Sequence, residues 1–258
     1  MKIGMIGNGA IAQYVSSGLA AREHHLGAVL MRPDRVRQGA GLEIGSVNDL
    51  PSGIDLVIDC AGHEALACLG PQILARGVNM ITVSLGALAD PKVSEALSLS
   101  AKEGNAKLHL ASGAIGALDC LAAARAGKLS TVTYVGRKLP GGWKGSAAEE
   151  KLDLAGIVDG AVIHFEGTAR AAALSYPKNA NVAAAVALAG LGFDDTRVQL
   201  IADPSITQNV HEIRAEGDFG NFHFQINGNA LPDNPRSSAL AAMSILAKLD
   251  QITQRITL

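Results

Sequence analysis

Residues 2–12 read Lys-Ile-Gly-Met-Ile-Gly-Asn-Gly-Ala-Ile-Ala, and this stretch decides the fold of the first half of the chain. Lys2–Ile6 is a short apolar strand run. Gly7, Gly9 and Ala12 give the spacing G-x-G-x-x-A, and Ile11, Val15 and Leu19 then recur on one helical face. Gly7 allows a tight turn out of the strand. Gly9 lets the backbone come close to a pyrophosphate, and Ala12 lets helix and strand pack closely. The helix opened by Ala10 and Ile11 offers unspent N–H groups to an anion. Strand, loop and helix in this order mark a dinucleotide site. The bland alternative is a glycine-rich turn that binds nothing.

Working outward, strands and helices alternate. Gly27–Met31, Asp55–Cys60, Asn79–Ser84 and Lys107–Ala111 read as strands. His63–Arg76 reads as a helix stopped by Gly77, and Asp90-Pro91 opens another that runs to Glu103. Short apolar strands alternating with helices imply a parallel sheet buried on both faces. The pattern changes after about Leu110. Thr131–Arg137, Ala161–Thr168, Val198–Ala202, Val210–Glu216 and Asn221–Asn227 read as strands. In the last of these Phe222, Phe224 and Ile226 face one way and His223 and Gln225 the other, which suits an antiparallel sheet with one wet face. Ala117–Ala126, Ala169–Leu174, Asn181–Leu191 and Ser237–Leu249 supply helices. The expected fold is α/β: an N-terminal Rossmann-type doubly wound parallel sheet, plus a C-terminal α+β domain with a mainly antiparallel sheet. The expected domains are a dinucleotide-binding domain over 1–111 and a catalytic and dimerisation domain over 112–235, with a C-terminal helix over 236–250 packing back on the first. Gly136–Gly145 is the most loop-like stretch and is expected to be a mobile flap.

Composition narrows the function. The chain has 258 residues and 48% hydrophobic residues, enough for a real core without disulfides or a structural metal. A formal charge of −2 and only 3% aromatics argue against nucleic-acid and polybasic membrane binding. No apolar run reaches the ~20 residues of a membrane span. Lys2–Ile6 is too short for a signal peptide, so a cytoplasmic protein is expected. Cys60, Cys68 and Cys120 are odd in number, and no histidine spacing suits zinc; no metal is expected. After the second strand comes Arg32, where NAD-preferring sites carry Asp or Glu; Asp34 falls one or two positions late. A guanidinium can stack on adenine and meet a 2′-phosphate, so either NAD or NADP is expected, with Arg35 and Arg37 as possible helpers.

Four segments then concentrate polar groups among small residues: Cys60-Ala61-Gly62-His63, Gly113-Ala114-Ile115-Gly116, Tyr176-Pro177-Lys178-Asn179-Ala180-Asn181, and Ile201-Ala202-Asp203-Pro204 leading to Asn209-Val210-His211. With Gly136-Arg137-Lys138 and the N-terminal loop, these motifs resemble the L-aspartate dehydrogenase family over nearly the whole chain. The resemblance implies NAD(P)-dependent oxidative deamination of L-aspartate to iminoaspartate. That product hydrolyses to oxaloacetate and ammonia or feeds quinolinate and NAD synthesis. It implies a homodimer, His211 as the catalytic residue, and Ala114 and Asn181 as cofactor contacts. Ala12 departs from the third glycine of the nucleotide loop, a small change.

The chemistry suits these residues independently. Amine oxidation needs a hydride acceptor and a group that takes a proton from the ammonium. An imidazole such as His211 can serve. Two carboxylates need cationic or N–H-rich anchors, for which Arg137, Lys138, Lys178 and Asn179 are candidates, with Lys178 foremost. His63 follows a strand end, where α/β folds place ligands. The alternatives are a related oxidoreductase for another amino or oxo acid, and a nucleotide-binding sensor without chemistry.

Overall fold

The computed structural model describes residues 1–37, 39, 41–177, 179, 181–232 and 234–256, with backbone alone at 235 and 236. The chain forms two compact units: residues 1–87, 91–113 and 241–258 in one, and 88–90 with 114–240 in the other.

The first unit holds six parallel strands: β1 Lys2–Ile6, β2 His25–Leu30, β3 Glu43–Ile44, β4 Leu56–Asp59, β5 Asn79–Thr82 and β6 Leu108–Leu110. Their order is β3-β2-β1-β4-β5-β6, so the chain reverses direction across the sheet between β1 and β4. Ligands of such sheets bind beyond the carboxyl ends of the strands at this reversal. Ile6 is in register with Leu30 on one side and Asp59 on the other. The loops after Ile6 and Asp59 therefore leave the sheet side by side. Three helices belong here: α1 Ala10–Leu19, α2 His63–Leu74 and α3 Pro91–Glu103. Ile3, Leu56, Ile58 and Ile81 are wholly buried and pack with Val15 and Leu19 of α1.

The second unit contains α4 Leu118–Ala124, β7 Leu129–Lys138, β8 Val162–Thr168, α5 Ala169–Ser175, α6 Asn181–Ala189, β9 Arg197–Ala202, β10 Asn209–Gly217 and β11 Gly220–Gly228. The five strands lie in the order β11-β10-β7-β9-β8. Three of the four pairings are antiparallel, and β7 with β9 is parallel. The mainly antiparallel expectation holds, with one crossover that strand alternation alone does not disclose. α4 and α6 cover the face carrying Val132, where Leu121 and Val132 both close on Gly190.

Two local expectations are corrected. Gly136–Gly145 is not a loose flap: its first residues belong to β7, and Trp143 is buried, donating through Nε1 to the Ile201 carbonyl at 3.0 Å. Asn234–Ser238 forms a short strand, β13, paired with β12 Ala230–Leu231, and the last helix, α7, starts only at Ala239 and runs to Thr253. α7 places Ile245, Leu246 and Leu249 in the core of the first unit. There Ser244 Oγ accepts from the Gly113 N–H at 3.0 Å. Among the described residues no helix is long and apolar enough to cross a membrane.

Candidate active site

In the first unit, β1 ends in the loop that the glycines shape. Gly7 has φ +88°, and a Cβ there would come within 3.1 Å of the Ala61 Cβ, so both conformation and space require glycine. A Cβ on Gly9 would meet nothing within 4 Å, and no side chain caps the start of α1. The N–H groups of the first turn, where Ala10 and Ile11 lie, thus face open space that a pyrophosphate can fill. The residues present fit a dinucleotide.

Beside this loop stands a buried carboxyl. Asp59, wholly buried, accepts from Ser84 Oγ at 2.6 Å, Thr82 Oγ1 at 2.8 Å and the Ala61 N–H at 3.0 Å. Burial pushes its pKa up, and the three donors and nearby His63 oppose this. His63 is the first residue of α2, directly after this anchored turn. Asp59, Thr82 and Ser84 are not among the candidates read from sequence. The signal available was a carboxylate inside an otherwise apolar strand. Arg32 is exposed just beyond β2, and its guanidinium has no hydrogen bond or ion pair among the described residues. Arg37, by contrast, is bound to Glu43 at 2.5 Å.

The second unit builds its site on the sheet face that the helices cover. His211 on β10 lies opposite Gly136 on β7. Tyr134, two residues before Gly136, shares its face. The phenol lies over Gly136 and its Oη meets His211 Nδ1 at 2.8 Å. A Cβ on Gly136 would sit 2.6 Å from that oxygen, so the bare backbone is what makes the contact possible. The Tyr134 and His211 rings stack at 6.0 Å with 19° between planes. Tyr134 and His211 are both buried, and Nε2 of His211 has no hydrogen-bond partner among the described residues.

Lys138 continues the same face of β7. Its Nζ donates to Asn179 Oδ1 at 2.6 Å and stands 5.1 Å above the Trp143 ring. Burial lowers the ammonium pKa to about 8. Burial also lowers the His211 pKa to about 4, helped by the charge of Lys138. His211 is therefore neutral at pH 7. Behind Trp143 stands His164, the extra residue of a bulge in β8, with its ring 4.4 Å from that of Trp143 and Nδ1 3.2 Å from Tyr176 Oη. Bulges commonly re-aim a side chain near active sites.

Not every candidate joins this group. Arg137 is adjacent to Lys138 in sequence and so points to the opposite face of the sheet. There it pairs with Asp203 at 3.0 Å and Glu212 at 4.0 Å. Its charge is spent, and the structure does not bring it to His211. Asn179 is brought in through Lys138. Asn181 opens α6, and Ala114 is buried where the chain re-enters the second unit. Lys178 lies outside the described residues. Among those described, no group of His, Cys, Asp or Glu could hold a metal ion, and the three cysteines are free thiols.

Comparison with known proteins finds two family models along the chain. Residues 4–111 match the family model "Homoserine dehydrogenase, NAD binding domain". Residues 119–252 match "Aspartate dehydrogenase, C-terminal". The L-aspartate dehydrogenase of Ruegeria pomeroyi is 53% identical over 254 residues, covering 97% of this chain and 92% of its own length. That of Ralstonia pickettii is 48% identical over 195 residues, 76% of this chain and 73% of its own. The crystal structure of aspartate dehydrogenase from Thermotoga maritima superposes with a TM-score of 0.78 at 27% identity, covering 100% of this chain and 99% of that one. The nucleotide loop, the covered sheet face with His211 and this similarity along the full chain lead to one conclusion: the chain belongs to the L-aspartate dehydrogenase family.

Proposed function

We infer that His211 is the residue that handles the proton when this chain oxidises L-aspartate with NAD or NADP. The activity itself follows from the family, whose members match along most of the chain. The observation that carries the role of His211 is its setting: a buried, neutral imidazole held through Nδ1 by Tyr134, with Nε2 unengaged among the described residues.

When bound, the nicotinamide takes a hydride from the substrate Cα. Everything else falls to the protein, which binds, orients and moves protons. Gly7, Gly9, Ala10 and Ile11 would hold the pyrophosphate on the helix N-terminus, and Arg32 would meet the adenosine end. Ala114 and Asn181 would position the nicotinamide half. His63, Asn179 and Lys178 are proposed to contact the substrate. The ammonium must lose a proton before its neighbouring C–H can leave as hydride. His211 Nε2 takes that proton. Loss of the hydride from the neutral amine then leaves a C=NH2+ group, which is iminoaspartate in its protonated form. Addition of water and expulsion of ammonia gives oxaloacetate; otherwise the imine serves quinolinate and NAD synthesis.

We also propose a cytoplasmic homodimer. Twofold dimers are the commonest oligomers. The outward face of the five-stranded sheet, with Arg137, Glu212, Arg214 and His223 in one ion-pair network, offers a polar surface that can pair with its own copy.

The test is the initial rate of nicotinamide reduction by L-aspartate, with NAD and with NADP, for the native chain and His211→Ala. The expected loss in the variant is about 10²-fold or more. Activity that survives the change returns His211 to a structural role. Cofactor binding without turnover on aspartate would favour another amino or oxo acid.

A further inference from the structure

We propose that Lys138 is the cation that receives a carboxylate of the dicarboxylate substrate, with Asn179 and Trp143 holding its ammonium in place. The proposal rests on the reading of the chain as an aspartate oxidant. The role of Lys138 is assigned from charge balance and strand geometry.

Among the described residues of the second unit, the partly buried cations are Arg137, Lys138 and Arg170. Arg137 has Asp203 and Glu212. Arg170 has Asp194 at 2.6 Å. Lys138 has no carboxylate partner among the described residues. Its contacts are an amide oxygen at 2.6 Å and an aromatic face at 5.1 Å. Both attract a cation, and neither carries a full negative charge. An ammonium has three N–H groups, and these contacts leave at least one for another acceptor. A half-buried charge without a counter-charge is costly unless an arriving group supplies one.

The strand dictates where that group would sit. Tyr134, Gly136 and Lys138 alternate onto one face of β7, and His211 faces Gly136 from β10. Lys138 is thus the next residue along the face from the one opposite His211, and its charge is felt at the imidazole. A carboxylate on Lys138 would place the rest of a four-carbon substrate near Nε2. It would also cancel the field that suppresses proton uptake by His211. Binding of the anion and readiness of the base are therefore coupled, and a substrate lacking that carboxylate loses both.

The experiment compares the full-length native chain with Lys138→Met and Asn179→Ala. One arm measures KM and kcat for L-aspartate. The other measures succinate binding by calorimetry with oxidised nicotinamide present, a dicarboxylate that cannot react. Removing one partner of a desolvated charge pair predicts that Lys138→Met weakens succinate binding and raises the KM for aspartate by about 30-fold or more. The KM for the nicotinamide stays unchanged, and Lys138→Arg recovers part of the loss. Asn179→Ala, which frees the ammonium but keeps its charge, gives a smaller rise of about 3- to 10-fold. Succinate affinity unchanged in Lys138→Met overturns the proposal. So does a collapse of kcat at constant KM, which would make Lys138 a proton carrier. A native chain that binds succinate through Lys138 but does not oxidise aspartate would sink the functional reading and leave the anion site standing.

Discussion

Replacing Gly136 with alanine tests the link between fold and chemistry in this molecule. The new Cβ would lie 2.6 Å from Tyr134 Oη, 3.1 Å from its Cζ and 3.2 Å from Leu200 Cδ2. The phenol is buried and must be pushed off His211 Nδ1. Overpacking costs about 1–3 kcal/mol. Stranding a buried ring nitrogen adds about 1 kcal/mol or more. The sum is about 2–4 kcal/mol for Gly136→Ala in the native background. In a Tyr134→Phe background the clashing oxygen is gone, and only two contacts just over 3 Å remain to be relieved. There the same substitution should cost about 1 kcal/mol or less, the price of a minor adjustment. The coupling of about 2 kcal/mol is well above the ~0.5 kcal/mol scatter of independent sites. Trp143 is the only tryptophan and lies in the second unit, so its emission during urea unfolding reads the stability of that unit. Activity follows the same cycle: each single variant lowers kcat/KM, and the double variant is no worse than Tyr134→Phe alone. Additive effects within ~0.5 kcal/mol would refute the contact across Gly136 as the reason for the glycine.

Three further outcomes are expected. Gly9→Val costs no more than about 1 kcal/mol of stability, as a poorer N-cap of α1 whose Cβ has open space around it, but raises the KM for the nicotinamide about tenfold or more by filling the approach to the α1 N–H groups; an unchanged KM would move the pyrophosphate elsewhere. Arg32→Asp weakens NADP relative to NAD by about tenfold, read as the ratio of the two kcat/KM values, and an unchanged ratio removes Arg32 from the adenosine end. His211 and His164, with pKa values lowered to about 4, bind fewer protons folded than unfolded between pH 6.5 and 4. Stability should then fall by about 1.4 kcal/mol per pH unit for each as pH drops through that window, and be fully present above it; His164→Phe should flatten the acid limb, and an equal slope in the variant would contradict its buried neutral state.

The parts of this fold that were legible in the sequence are those set by local pattern. Asp55–Cys60 reads as a parallel strand because it is a short apolar run, and the strand found, Leu56–Asp59, is buried at all four positions. Glu43–Ile44 does not read at all, because two residues carry no period. Glycines between 136 and 145 read as a mobile loop, but a single indole anchored on the Ile201 carbonyl outweighs them. Asn234-Pro235 reads as a helix start, and the backbone instead uses it in a strand pairing. The site divides in the same way. The nucleotide loop is local, and its chemistry can be read from spacing. Tyr134 and His211 are 77 residues apart, and only the register of β7 against β10 joins them. Arg137 and Lys138 are neighbours in sequence with equal charge, and strand alternation alone gives them opposite surroundings.

The position of α7 in the core of the first unit has a consequence for how the chain is made. Ile3, Val15 and Leu19 are among the first residues synthesised, yet Ile245, Leu246 and Leu249 complete their packing. The whole of residues 114–240 must be translated in between. At about 5–20 residues per second, that is a wait on the order of ten seconds. During this time the nascent nucleotide-binding half exposes an oily groove that is later sealed by α7. The half that emerges first thus matures last, and it is the natural client for a ribosome-associated chaperone. A stop codon before α7 would strand it in that unsealed state even with every nucleotide-loop residue intact.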